Sequence, residues 1–104
     1  FGRDYAVGDT RVQDYLSQIK GEYEQAYYTG IVYEKRAKAT LRNGAIGSES
    51  TAYDLFRNAM NWFEKAEAIQ PTGNNDTILR WNGCARIIMR NNLKPREMAS
   101  DFIE

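Results

Sequence analysis

Apolar and small side chains recur along the first third of the chain at Val12, Leu16, Ile19, Tyr23, Ala26, Gly30, Tyr33 and Ala37. The steps alternate between four and three, the spacing that keeps one side of an α-helix against a neighbour. No proline and no cluster of turn residues interrupts 9–41, and Asp9 or Thr10 can cap the start. The pattern predicts one long N-terminal helix of about 33 residues, roughly 50 Å at 1.5 Å per residue. Gly21 and Gly30 are its weak points, each about 1 kcal/mol worse than alanine in a helix interior. A break near Thr29-Gly30 is the alternative reading. Asn43-Gly44-Ala45-Ile46-Gly47-Ser48 reads as a loop, with Asn43 or Gly44 able to end the helix in the left-handed conformation.

A second helix is predicted over 50–69, capped by Ser48 or Ser50. Its stripe is Ala52, Phe56, Ala59, Phe63 and Ala66, again in steps of four and three. Pro71-Thr72-Gly73 ends it. Asp76 is placed to cap a third helix, with its negative charge at the positive helix end. Ile78, Trp81, Ala85, Ile88 and Met89 form that helix's apolar face, flanked by Leu79, Cys84 and Ile87, and Asn91-Asn92 stops it. Pro95 suits the first turn of a short final helix through Met98, Phe102 and Ile103. No alternating strand pattern of useful length occurs. The fold class is all-α, a helical bundle or short solenoid with one long N-terminal helix and two to three further helices.

The segment Ala59-x-x-x-Phe63-x-x-Ala66-x-x-x-x-Pro71 resembles the second helix of a tetratricopeptide repeat (TPR), as do Glu64-Lys65-Ala66 and Ile69-Gln70-Pro71. Ile78-x-x-Trp81-Asn82-x-x-Ala85 resembles the first helix of a following repeat, although Asn82 stands where the family prefers a small residue. Ala26-x-x-x-Gly30-x-x-Tyr33 resembles a preceding first helix. More residues separate Tyr33 from Ala59 than the 34-residue repeat allows, so the helices and loop would be lengthened. The wording around Asn75-Asp76-x-Ile78-Leu79-Arg80-Trp81-Asn82 is similar to that of uncharacterised bacterial TPR-like proteins, a likeness that brings no activity with it. The resemblance implies a concave groove lined by the first helices. Its candidate partner-binding residues are Tyr27, Ile31, Glu34, Lys35, Lys38, Leu79, Arg86 and Arg90.

Composition narrows the chemistry. The chain has 104 residues, 42% hydrophobic and 27% charged, enough for one modest core. It reads as a single domain, and a first residue Phe1 in place of methionine leads to the expectation of a piece cut from a longer chain. Fourteen basic and fourteen acidic residues cancel, which argues against nucleic acid as a partner. No run of about 18 apolar residues exists, so membrane insertion is not expected. The absence of histidine removes Ser-His-Asp and Cys-His catalysis and the histidine zinc sites. Cys84 alone cannot form an internal disulfide or a thiolate cage, and reads as a small core residue. Glu22, Glu24, Glu64 and Glu67 read as outward charges, and no serine has a base partner. No catalytic residue, cofactor or metal is expected.

The expected work is therefore protein–protein interaction or scaffolding, with a protein or peptide partner. The basic side chains on the first and third helices favour an acidic one. The alternatives are a homodimer paired through the long helix, whose first turns from Val12 to Ile19 the shorter helices cannot cover, and an accessory domain of a longer enzyme. Four tyrosines between Tyr23 and Tyr33 suit a core boundary or a contact surface. The cytoplasm is the expected compartment.

Overall fold

The computed structural model describes residues 11, 13, 14, 16, 21–69 and 75–96. Three helices carry the fold: α1 (Glu22–Asn43), α2 (Ser48–Ile69) and α3 (Asp76–Arg90). The described residues contain no strand.

The predicted 33-residue helix does not run unbroken. Gly21 has φ +94°, which no right-handed helix accommodates, and α1 begins immediately after it. Upstream, Arg11, Gln13, Asp14 and Leu16 have helical backbone, while Val12 and Ile19 lie outside the described residues. Leu16 is buried. Gly30, the other suspected break, sits inside an uninterrupted helix. Glu22 and Glu24 occupy α1's first turn, where the helix dipole favours negative charge. Gly44 closes it in the left-handed conformation, as its position after the periodic stretch suggests.

The serine caps expected for α2 are not formed by side chains. Gly47, at φ +83°, leads into the helix, and Ser50 instead donates its hydroxyl to the Gly47 carbonyl at 3.1 Å. Asp76 is the first residue of α3; the capping position belongs to Asn75, left-handed and without a side-chain cap bond. Arg90 ends α3 as the Asn-Asn pair predicts. Asn92 is left-handed, its amide bonds Met89 O at 3.2 Å, and the Leu93 amide reaches back to Ile88 O at 2.9 Å. This six-to-one and five-to-two pair satisfies carbonyls that the helix would leave open, and it folds Leu93 into the core. Pro71 and the short helix expected after Pro95 lie outside the described residues.

The α1–α2 loop holds only residues 44–47, so the two helices fold back antiparallel. Their seam is made of small residues. Ala26, Gly30 and Ala37 of α1 face Ala52, Ala59 and Ala66 of α2, all buried, with Phe56 and Phe63 filling the remaining space. Gly30 is required there: a β-carbon on it would stand 2.6 Å from Cε1 of Phe63. Close backbones and interlocked aromatic rings give the dense contact that holds this hairpin. α3 returns along α2, pairing Trp81 with Glu64 and Thr77 with Glu67. The backbones of α1 and α3 approach only weakly.

Trp81, Ala85 and Ile88 of the apolar face expected for α3 pack against the core, together with Ile87, but the two ends of that face do not. Ile78 is 45% exposed and Met89 74%, whereas Thr77 and Cys84 are fully buried. Thr77 and Cys84 are the buried side chains of α3.

Candidate functional site

Where α1 and α3 draw near, four polar side chains bridge the gap. Arg80 extends from α3, and its Nε donates to the hydroxyl of Tyr27 at 3.0 Å. Its Nη1 donates to Oε1 of Glu34 at 3.1 Å. The other carboxylate oxygen of Glu34 accepts Nζ of Lys38 at 2.8 Å, one helical turn further along α1. Glu34 is only 7% exposed. A carboxylate so far from water needs partners, and the two cations supply them while keeping much of their own surface wet.

Tyr27 is fixed from several sides. Its ring stacks on Tyr23 with centroids 5.8 Å apart, meets Tyr28 edge-on, and leans against Phe63 at 6.0 Å. Arg80 also lies over that ring, 5.7 Å from its centroid. Burial alone would lower the pKa of Arg80. The Tyr27 hydrogen bond and the nearby Tyr27 and Glu34 oxygens outweigh it and raise the pKa. Beneath this group sits Cys84. Desolvation, reinforced by the Glu34 charge, pushes its thiol up to about 12, against a weaker opposing pull from Lys38 and Arg80. At neutral pH it is a protonated, inert thiol.

Three of the sequence-predicted groove residues, Tyr27, Glu34 and Lys38, belong to this cluster. Ile31 is half-buried and packs against the core. Lys35 is exposed on α1. Leu79, Arg86 and Arg90 are exposed on α3, roughly 80–120° round its axis from Arg80 at about 100° per residue. They form a separate outer face. Arg80, which completes the cluster, is absent from the sequence-based set. Its one local signal is the stripe Thr77, Arg80, Cys84 and Ile87, whose three-four-three steps put the arginine on the inward side.

A second feature lies about a quarter turn round α3 from Arg80. Phe63, Glu64, Glu67 and Ala68 of α2 and Thr77, Ile78 and Trp81 of α3 line an open cleft of about 410 Å³. The indole Nε1 of Trp81 donates to Oε2 of Glu64 at 2.8 Å, and the Thr77 hydroxyl donates to Glu67.

Among the described residues no three potential metal ligands converge, and no helix is long and apolar enough to cross a membrane. The Arg80–Glu34–Lys38 group is suited to anion recognition: two cations share one buried anion, leaving net positive charge and unused N–H donors at the surface. No family model, curated protein or solved structure matches the chain.

Proposed function

We infer that the chain is a protein-interaction module that binds an acidic polypeptide segment on its α1–α3 side. The observation that carries this reading is the buried carboxylate of Glu34, which presents Lys38 and Arg80 side by side. An exposed lysine or arginine loses side-chain entropy when it is fixed against a ligand. Here Glu34 and Tyr27 have already restrained both cations, so a partner carboxylate meets donors that are held in place. The small-residue seam between α1 and α2 supports a TPR-like arrangement, in which α1 and α3 correspond to successive first helices. It leaves the outward side chains free for recognition.

The test is calorimetric titration with a short peptide rich in aspartate and glutamate, beside its asparagine and glutamine counterpart. The acidic peptide binds and the neutral one does not. Lys38→Ala combined with Arg80→Gln weakens binding at least about tenfold, the loss of one or two charge-assisted hydrogen bonds. Arg86→Glu combined with Arg90→Glu has the smaller effect. Equal binding of the two peptides, or full binding by the Lys38/Arg80 variant, refutes the assignment.

A further inference from the structure

The α2–α3 cleft has a chemistry opposite to that of the Arg80 cluster. Its walls are Phe63, Ala68, Ile78 and Trp81, and its two charged groups are both carboxylates. Glu64 is bonded by an indole N–H and Glu67 by a hydroxyl, both neutral donors. Among the described residues neither carboxylate has a cation partner. The adjacent Lys65 lies over the ring of Trp62, 4.8 Å from its centroid. Each carboxylate accepts one of these bonds out of about four lone-pair sites, so acceptor capacity remains on both. α3 begins beside Thr77, and its positive end offsets part of the charge on Glu67. Glu64, further along α2, keeps the more available charge. Trp81 adds an indole face, the aromatic surface to which cations bind best.

We propose that this cleft is a docking site for an arginine side chain of a partner polypeptide. Charge complementarity selects the occupant. An apolar stem ending in a cation matches apolar walls that lead to two carboxylates. A guanidinium can also pair with a carboxylate edge-on while stacking on the indole, which an ammonium cannot do. The cleft is open to solvent and, at about 410 Å³, leaves room for one long side chain. The site is separate from the proposed acidic-segment surface, so one partner strand with mixed charge, or two partners, can engage the molecule at once.

The probe is the tripeptide acetyl-Leu-Arg-Leu-amide, titrated against isotopically labelled protein and followed by heteronuclear NMR at the Trp81 indole N–H. Its control is the same peptide with citrulline, the neutral isostere, in place of arginine. The arginine peptide shifts the Trp81 resonance saturably and leaves that of Trp62 in place. Citrulline and Glu64→Gln each weaken the effect about tenfold or more, the factor carried by a charge-assisted hydrogen bond. Glu64 is exposed, so its substitution preserves the fold, which the rest of the spectrum verifies. Glu64→Gln also retains acidic-peptide binding, which separates the two sites. Equal shifts from arginine and citrulline peptides mean a merely apolar cleft and overturn the proposal. So does an arginine response that survives Glu64→Gln, or no Trp81 shift at millimolar peptide.

Discussion

Two glycines inside helices provide a sharp test of how this chain packs. A β-carbon added at Gly30 would lie 2.6, 2.8 and 3.1 Å from three ring carbons of Phe63. The ring must retreat by about 0.8 Å to restore ordinary contact, which begins near 3.4 Å. Its room to move is limited, since Phe63 is 1% exposed and Tyr27 leans against it, and it can give way only toward the α2–α3 cleft that it also lines. Overpacking of this kind costs about 1–3 kcal/mol, and a ring hemmed in on several sides belongs near the upper end. Removing a helical glycine returns about 1 kcal/mol. Gly30→Ala is therefore expected to destabilise the domain by about 1–2 kcal/mol. At Gly83 of α3, an added β-carbon meets nothing within 4 Å. Gly83→Ala gains the propensity term alone and stabilises by about 0.5–1 kcal/mol. The same chemical change in two helices thus has opposite signs. Urea unfolding followed by circular dichroism measures both, with the midpoint moving and the slope constant. Phe63→Leu frees space beside residue 30, so the double variant Gly30→Ala/Phe63→Leu should recover at least about 0.5 kcal/mol relative to the sum of the singles. Stabilisation by Gly30→Ala, or strict additivity with Phe63→Leu, would refute the close α1–α2 approach.

Four further outcomes rest on the same contacts. With its thiol pushed from 9.0 to about 12, Cys84 carries at pH 8 about a thousandfold less thiolate than when unfolded; its reaction with a disulfide reagent should be slower than in urea by at least that factor, and native and unfolded rates within tenfold would be incompatible with it. The sign of the linkage is that a raised thiol pKa leaves stability intact below pH 9 and erodes it between pH 9 and about 12, so Cys84→Ala should flatten the alkaline fall in unfolding free energy. Glu34→Gln should cost about 1–2 kcal/mol, less than a fully buried pair because Lys38 and Arg80 side chains are 44% and 40% exposed; the deficit should narrow in high salt, and an unchanged midpoint would remove Glu34's anchoring role. Ala59→Trp, at a fully buried seam position, should cost about 3 kcal/mol or more, and a thermal midpoint within a few degrees of the parent would show that the alanine does not face α1.

Periodicity reports the phase of a helix, not its continuity, and this chain separates the two. The stripe in α2 was fully legible: Ala52, Phe56, Ala59, Phe63 and Ala66 are all buried, because small residues alternating with phenylalanine on a three-four period have few other uses in water. The stripe around α1 carries the same phase on both sides of Gly21, yet the backbone there turns to φ +94°. Only glycine enters that region cheaply, so a residue that costs a helix about 1 kcal/mol was a break, while Gly30, of identical local cost, was a packing contact. What distinguishes them is Phe63, 33 residues further along the chain, and no window of neighbouring residues contains that information. The same holds for the polar cluster. Glu34 and Lys38 are an i,i+4 pair visible in the sequence, but Arg80 joins them across 46 residues, and Tyr27 across 53. Charge patterns along one helix therefore identify which side chains are available. The approach of two helices decides which of them share a buried anion, and α1 reaches its place on α2 through a residue as small as Gly30. The geometry of the α1–α3 cluster thus depends on the seam: a substitution that pushes α1 off α2 moves Glu34 away from Arg80 without touching either. If the cluster binds acidic segments, Gly30→Ala should weaken that binding by more than its loss of folded protein explains. Equal affinity per folded molecule would show that the cations are positioned independently of the seam.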